Sequence, residues 1–339
     1  MPPVIDPTNV YAADGPNRFS PTVADHLYRV YVPNSESDSV TVIDPSTYNI
    51  LGTFPVGRQP QHVVPSYDLQ TLWVNNDLGD SLTPIDPRTG QPGPTVEVAD
   101  PYNLYFTPDG QHAVVMASAL RRLDFRDPQT MAMQNSVPVP CAGVNHADWT
   151  ADGMFFLVSC EFSNELLWVD TAAQAVVRVI DLPDGAMPQD VKLSPDGTRF
   201  YVADMMNDGV WIYDVAPDGP QLKGLLKTGP GAHGLYVSRD ATRLFVANRG
   251  AGSISVVRFA DDAIIATWQI PGPASPDMGN LSPDGGTLWL SGRYDAEVYA
   301  IDTTSGALLA RIKVGTQPHG LTVWPQPGRY SLGHTGILR

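Results

Sequence analysis

Four of the seven histidines lie where a loop gives way to a short apolar run: His62, His146, His233 and His319. Neutral imidazole is the commonest protein ligand for copper, zinc and iron. If the fold brings these side chains together, they predict a transition-metal site, with copper as the first candidate. The alternative is that they are polar groups bridged by water, or caps of turns that bind no ligand. His26, His112 and His334 are not assigned to this group.

Carboxylate, guanidinium and amide side chains occupy comparable places. Asp190 and Asp277 lie at boundaries of the same kind and could complete a metal sphere or act as general acid and base. Arg249 and Arg293 each follow an apolar run, and a guanidinium can grip two oxygens of a substrate carboxylate or phosphate. Ion pairing with nearby carboxylates is an equally open interpretation of the two arginines. Asn103 is a further candidate for substrate binding.

The two cysteines, Cys141 and Cys160, flank His146 in the sequence. Two cysteines are too few for a disulfide framework in a domain of this size, and their spacing is not that of a zinc site. We therefore interpret them as buried, inert thiols. Ligation of a soft metal and a reversible disulfide are the alternatives.

Internal repeats of 41 to 44 residues must position these side chains. Each repeat is marked by an Asp-Gly turn preceded by Ser or Thr, and in two degenerate copies the Gly is lost. The markers begin at Ser66, Thr107, Thr150, Ser194, Ser238 and Ser282. A second marker, an Asp that closes an alternating apolar run, recurs with the same period and brings the count to seven copies.

Each copy has the pattern of four short strands. Residues 191–193, 199–203, 209–214 and 221–225 show the two-residue alternation of β-branched and aromatic residues that is typical of strands. The Asp-Gly turn favours a tight hairpin, because both of its residues tolerate positive φ. Four strands at a period of about 40 to 45 residues indicate one blade of a β-propeller. We predict an all-β, seven-bladed propeller with four antiparallel strands per blade.

The two ends of the chain are predicted to share one blade. Residues 28–55 supply the second to fourth strands of a blade without a first strand, and residues 319–324 resemble a solitary first strand. Joining them closes the ring and removes exposed sheet edges. Residues 329–336 also have the pattern of a second strand, so the sequence leaves open whether they or residues 28–33 fill that position.

Three segments follow from this arrangement. We predict an N-terminal arm over residues 1–26 that lies across one face, a propeller over residues 27–325 and a C-terminal tail over residues 326–339.

The repeats resemble the YVTN-type β-propeller family over roughly residues 27–325. The resemblance is carried by Tyr201-Val-Ala-Asp204, Phe245-Val-Ala-Asn248 and Val314-Gly-Thr-Gln-Pro318. It implies the propeller fold but no single activity, because such propellers include lactonase-like enzymes, lyases, copper-oxidase-like enzymes, surface-layer modules and periplasmic binding proteins. The family commonly has Gly at the position that holds His62 and His146 here.

Propeller sites usually form at the mouth of the central channel, where each first strand is entered and each second strand ends. Aligning the blades places all the candidate residues at this mouth. His62 and His146 occupy the second of two entry positions, whereas His233 and His319 occupy the first. Neighbouring side chains of an extended strand diverge. Either the local geometry brings all four histidines together, or only one pair faces the channel.

The charge balance limits the partners. The chain has 21 basic and 36 acidic residues, a net charge of −15 and a pI near 4.6, which oppose binding to nucleic acid and to anionic membranes.

We find no long apolar segment and no secretion signal pattern, and expect a soluble cytoplasmic protein, with a processed secreted form as the alternative. Walker, nucleophile-elbow and zincin motifs do not occur.

We therefore predict a metal-dependent oxidoreductase, with copper as the first metal, that performs oxidation or Lewis-acid chemistry on a small molecule. One alternative is a non-catalytic propeller that binds a ligand or a protein on its rim. The other is a metal-activated hydrolase or lyase in which a histidine and an aspartate act as base and acid.

Overall fold

The architecture is a closed ring of seven antiparallel sheets, as the repeats predicted. A computed structural model describes residues 1–216 and 218–339. Within these residues the first strands of successive blades contact one another around the ring, and the last contacts the first. These innermost strands line a central channel. Apolar side chains fill the space between blades, and Trp289, for example, is buried between blades 7 and 1.

The strands follow in chain order. Blade 1 contains β1 (Arg29–Asn34), β2 (Ser39–Ile43) and β3 (Ile50–Pro55). Blade 2 contains β4 (Pro60–Pro65), β5 (Leu72–Asn76), β6 (Ser81–Asp86), β7 (Gln91–Pro92) and β8 (Val96–Glu97), of which the last two both pair with β6. Blade 3 contains β9 (Asn103–Phe106), β10 (Ala113–Ala117), β11 (Arg122–Arg126) and β12 (Met133–Pro138).

The remaining blades repeat the same order. Blade 4 contains β13 (Val144–Trp149), β14 (Phe155–Cys160), β15 (Glu165–Asp170) and β16 (Ala175–Asp181). Blade 5 contains β17 (Pro188–Leu193), β18 (Arg199–Asp204), β19 (Gly209–Asp214) and β20 (Gln221–Lys227). Blade 6 contains β21 (Ala232–Val237), β22 (Arg243–Asn248), β23 (Ser253–Arg258) and β24 (Ala263–Gln269). Blade 7 contains β25 (Pro276–Leu281), β26 (Thr287–Gly292), β27 (Glu297–Asp302) and β28 (Leu308–Lys313), and β29 (Thr322–Trp324) is the last strand.

Strand β29 closes the ring by completing blade 1. It pairs antiparallel with β1, with Tyr31 opposite Thr322 and Arg29 opposite Trp324. The predicted closure is confirmed. Strand β1, and not the tail, fills the second position, because β1 also forms a hairpin with β2.

The hairpin between the first and second strands of a blade has a different turn from the one expected. Gly110, Gly153, Gly197 and Gly285 have φ between +70° and +79°, but the Asp before each Gly is not among the residues with positive φ. The Asp carboxylate instead accepts a hydrogen bond from the Ser or Thr of the motif, as in Thr150 Oγ1 to Asp152 Oδ1 at 2.6 Å. Thus only the Gly needs a left-handed conformation.

The chain ends beyond the ring lie on the face opposite the mouth. The arm contains two short 3-10 helices, Ala12–Asp14 and Pro21–Val23. Its Val10 N–H donates to Pro195 O, in a hairpin turn of blade 5, at 2.8 Å. Its Asn17 N–H donates to Pro283 O, in the corresponding turn of blade 7, at 2.9 Å.

Residues 328–339 form a C-terminal finger that enters the channel from this same face. Leu332 N–H donates to Ile337 O at 2.8 Å and closes the finger into a hairpin. Phe106 N–H, on β9, donates to Leu332 O at 3.0 Å. A 3-10 helix, His334–Gly336, forms the tip of the finger.

None of the helices in the described part of the chain is long and apolar enough to cross a membrane.

Candidate functional site

A β-bulge in the first strand of five blades places the candidate residues around the channel. In blade 4, Val144 pairs with Cys160 and Ala147 with Val158, so three steps on β13 match two on β14. The same irregularity occurs in β4, β17, β21 and β25. A bulge opposes two residues to one and re-aims a side chain. Both entry positions can therefore reach the channel, and all four predicted histidines converge there.

Three imidazoles form an inner imidazole group: His62, His146 and His334. The ring centres of His62 and His334 are 4.0 Å apart, those of His146 and His334 are 5.0 Å apart, and those of His62 and His146 are 6.0 Å apart. One ring nitrogen from each lies within 4.8 Å of the other two. Metal–nitrogen bonds of about 2.0–2.1 Å place ligand atoms roughly 3–4 Å apart. Small shifts would therefore let the three rings share one ion.

An outer group, nearer the mouth, contains His233, Asp277 and His319. Asp277 Oδ1 lies 3.0 Å from His233 Nδ1, and Asp277 Oδ2 lies 3.4 Å from His319 Nε2. The three side chains are buried, and one ligand atom from each lies within 4.8 Å of the others. The two groups adjoin, because the ring centres of His62 and His319 are 4.7 Å apart.

Gly320 makes room for this arrangement. A Cβ atom at Gly320 would lie 2.1 Å from His62 Cδ2 and 3.0 Å from His334 Cε1. Gly320 occupies the same entry position in blade 1 that His62 occupies in blade 2. The ring of His62 thus fills the space that a side chain at position 320 would need.

All five imidazoles of the channel are neutral at pH 7. Burial lowers the pKa of His62 to about 3. Burial, followed by the repulsion of neighbouring cationic groups, also lowers the pKa of His146, His233, His319 and His334 well below the usual value. A neutral imidazole keeps one nitrogen lone pair, which is the form that binds metals.

The buried ring nitrogens without a hydrogen-bond partner among the described residues include His62 Nε2, His146 Nε2 and His319 Nδ1. His62 Nδ1 lies 2.8 Å from Tyr102 O. A carbonyl only accepts, so Nδ1 carries the hydrogen and the lone pair is on Nε2. His146 Nδ1 lies 3.2 Å from Asn103 Nδ2, which only donates, so in this arrangement Nδ1 accepts and carries the lone pair of His146.

The two predicted arginines flank the outer group. Arg249 Nη1 lies 3.1 Å from Asp277 Oδ1, and Arg293 Nη1 lies 3.7 Å from Asp277 Oδ2. Their side chains are 10% and 16% exposed. The guanidinium of Arg249 also lies 5.5 Å from the ring centre of the exposed Tyr294. The ion-pair interpretation therefore describes these contacts, with Asp277 as the carboxylate.

Asp190 and Asn103 lie deeper than the mouth. Asp190 accepts from Leu235 N–H at 3.0 Å and from Lys192 Nζ at 3.2 Å, and it joins blade 5 to blade 6. Asn103 Nδ2 lies 3.2 Å from His146 Nδ1. The structure thus places Asn103 against the inner group, and of the two predicted aspartates only Asp277 lies between the histidines and the arginines.

Cys141 and Cys160 form a disulfide, so the interpretation of two inert thiols is wrong. Their Cα atoms are 6.0 Å apart, and both residues are buried. Cys160 ends β14 opposite Val144, and Cys141 lies in the loop that leads into β13. The hairpin pairing brings the two sulfur atoms together, which linear spacing does not reveal. The bond fastens the loop that precedes His146.

Sequence reasoning missed the place of His334. The tail has no complete counterpart among the repeats, so blade alignment does not assign it. A weak signal was present in the two glycines that flank it, Gly333 and Gly336, which have φ of +119° and +67°. Glycines at such a spacing permit the sharp reversal at the tip of the finger.

Sequence comparison relates the chain to one family. The model of the YncE-like β-propeller matches residues 15–327. YncE from Salmonella typhi is 23% identical over 276 residues, which cover 74% of this chain and 73% of that protein. A 6-phosphogluconolactonase from an Enterobacter species is 30% identical over 118 residues, which cover 34% of this chain and 35% of that enzyme.

Solved structures have the same fold at low sequence identity. The periplasmic gluconolactonase of Pseudomonas aeruginosa superposes with a TM-score of 0.73 at 18% identity, over 88% of this chain and 99% of that one. A protein from Desulfotomaculum acetoxidans gives a TM-score of 0.74 at 16% identity, over 88% and 99%. The dihydro-heme d1 dehydrogenase NirN gives 0.64 at 16% identity, over 90% and 76%.

Proposed function

The chain belongs to the YncE-like β-propeller family, and from the polar channel of this propeller we propose that it is a metal-dependent enzyme. The channel imidazoles bind one transition-metal ion, and the arginines at the mouth hold an anionic group of a small substrate. Copper is the metal we favour, because imidazole nitrogen is a suitable copper ligand. Among the divalent first-row transition metals, copper also binds such ligands most tightly. Zinc and iron are its competitors at such a site.

The observation that carries this proposal is the free Nε2 atom of His62. It is fully buried, its tautomer is set by the Tyr102 carbonyl, and no described residue hydrogen-bonds to it. A buried acceptor without a partner costs about 1–3 kcal/mol. A metal ion would satisfy this atom, and a carbonyl partner on the other ring nitrogen is the usual support of a metal-binding histidine.

The mouth is suited to an anionic substrate. Arg249 and Arg293 converge on Asp277, and a carboxylate or phosphate of a substrate could share their hydrogen-bond donors. Glu161 is a further carboxylate near the two guanidinium groups; burial raises its pKa, and Arg249 and Arg293 oppose that shift. The small exposed area of both arginines fits a narrow entrance rather than a protein-binding surface.

The chain's own groups can also move protons. Asp277 and His233 lie 3.0 Å apart and could act as an acid–base pair beside the substrate. A bound ion would supply Lewis-acid polarisation or electron transfer. Asp190 is engaged by Lys192 and by backbone N–H groups, so we assign it to holding the channel wall.

A metal-activated hydrolase is the second candidate, and the names of two relatives favour it. The Pseudomonas aeruginosa protein is named a gluconolactonase and the Enterobacter protein a 6-phosphogluconolactonase. A phosphorylated sugar lactone carries the type of anionic group that the arginine pair suits. NirN is named a dehydrogenase, which agrees with the redox candidate.

Elemental analysis of untagged protein tests the proposal. We expect a stoichiometric transition metal in the wild type and in the control His112→Ala, which lies outside the channel, and loss of the metal in His62→Ala/His146→Ala. Loaded protein is then assayed for gluconolactone hydrolysis and for oxygen consumption, which separate hydrolysis from oxidation. Folded wild-type protein that takes up no metal would overturn the proposal in favour of a binding propeller.

A further inference from the structure

The C-terminal finger is the one part of the inner group that does not come from a blade strand. His62 and His146 lie on β4 and β13, whereas His334 lies at the tip of residues 328–339. The ring of His334 is closer to His62, at 4.0 Å, and to His146, at 5.0 Å, than these two are to each other, at 6.0 Å. The finger therefore inserts its imidazole between the two strand histidines.

Contacts well away from His334 hold the base of the finger. Arg339 Nη2 lies 2.9 Å from Asp148 Oδ1, and the guanidinium of Arg339 stacks at 5.1 Å on the ring of Tyr11 in the arm. Ser331 N–H donates to Tyr67 O at 3.1 Å. These contacts can hold the finger in the channel without an ion.

We propose that His334 is the third ligand of the channel ion, so that ion binding and docking of the C-terminal finger stabilise each other. This inference rests on the proposed function, because it needs an ion in the channel. Three imidazoles on one ion are a known catalytic ligand set, in which a further position stays open for water or substrate.

The coupling is reciprocal. If the docked finger raises the affinity for the ion by some factor, the ion must raise the docking equilibrium of the finger by the same factor. An ion that binds only the docked form stabilises it increasingly as the free ion concentration rises above the dissociation constant. A variant that weakens the affinity of the protein for the ion must therefore also weaken the ion-dependent protection of the finger amides against hydrogen exchange.

The first test measures copper(II) and zinc(II) binding to the full chain and to His334→Ala and His334→Asn. Removing a residue that only hydrogen-bonds to a metal ligand typically lowers metal affinity roughly 10- to 100-fold. We expect both His334 variants to lose more affinity than that, because they remove a ligand. His112→Ala is the matched control and should bind as the wild type does. In wild-type protein the ion should slow amide hydrogen exchange in residues 329–339, and in the His334 variants it should not.

A second variant moves the finger and keeps the imidazole. A Cβ atom at Gly333 would lie 2.6 Å from Leu104 O, and φ there is +119°. Gly333→Val should therefore displace the tip and weaken ion binding as His334→Ala does. Its circular dichroism spectrum and urea midpoint report whether the propeller itself stays folded.

The outcomes separate the two proposals. Equal ion affinity in wild type, His334→Ala and Gly333→Val would overturn this inference and leave the metal-dependent function with strand histidines alone. Failure of the wild type to bind either ion would overturn both. Weakened binding without ion-dependent protection of residues 329–339 would also overturn the coupling.

Discussion

The buried imidazoles make the stability of the propeller depend on pH. The pKa of His62 is about 3 in the folded protein, against a usual value of 6.5. The unfolded chain therefore binds more protons below pH 6.5, and the contribution of His62 to stability is present above that pH and is lost as the pH falls towards 3. The other imidazoles of the channel act in the same direction.

Substitution of His62 should reduce this dependence. Between pH 7 and pH 5 the wild type should lose about 2 kcal/mol more of its free energy of unfolding than His62→Gln does, because each pH unit is worth about 1.4 kcal/mol per group. Urea titrations of metal-free protein at the two pH values measure the difference. Equal losses in the two proteins would mean that His62 can be protonated without leaving the channel.

Gly320 should tolerate no side chain. In Gly320→Ala the added methyl group would lie 2.1 Å from His62 Cδ2, so the ring must move or the blade must shift. We expect a loss of about 1–3 kcal/mol in the free energy of unfolding, typical of overpacking, together with weaker metal binding. Gly52→Ala, where an added Cβ meets nothing within 4 Å, is the control in the same urea assay. A neutral Gly320→Ala would show that the His62 ring has an alternative position.

Blade alignment grouped the four entry histidines at one mouth because it compares equivalent positions of the blades. It could not decide whether His62 and His233, one position apart in register, face the same way, because that depends on a bulge. A bulge is a property of strand pairing, and nothing in the residues at positions 61 and 62 marks it. His334 lay outside the alignment altogether.

At the scale of elements, the disulfide stiffens the entry to blade 4. Cys141 and Cys160 are 19 residues apart, and closing a loop of this size stabilises a protein by roughly 3 kcal/mol in the chain-entropy model. Cys141→Ser/Cys160→Ser should therefore lower the free energy of unfolding by about that amount, as measured with urea. It should also weaken metal binding, because the bonded loop leads into β13 and His146. Unchanged stability and affinity would show that strand pairing alone holds this entry.

This disulfide also bears on location. Persistent disulfides are typical of oxidising compartments and are rare in the cytosol. The cytoplasmic location expected from the sequence stays a prediction, and the redox state of Cys141 and Cys160 in cells would test it.

At the scale of the whole molecule, the period of the repeats was enough to predict the number of blades and the shared closing blade. Six copies carry the turn motif, and alternating apolar runs recur in all seven, so the pattern is visible within each copy. The finger and the arm have no such copies. Their positions depend on contacts with residues far away in the sequence, such as Arg339 with Asp148, and these contacts leave no periodic signal.

The ring closure should determine whether the chain folds cooperatively. Val323 and Trp324 of β29 are fully buried, and burial of such side chains is worth about 1.5–3 kcal/mol each. Together they approach the 5–15 kcal/mol by which a typical domain is stable. Removing residues 321–339 would also expose β1 as an unpaired edge and uncover the side of blade 7. We expect this truncation to aggregate or to lose its single sharp urea transition.

A shorter truncation separates closure from the finger. Removing only residues 328–339 leaves all seven sheets paired, so we expect a single cooperative transition at a lower urea concentration. Part of that loss comes from Asp148, which would lose its ion pair with Arg339. If both truncations unfold alike, the finger acts as part of the propeller core. If both truncated proteins still unfold in one cooperative transition, β29 contributes little to the stability of the ring. Blade 1 must then be held by contacts with the neighbouring blades alone.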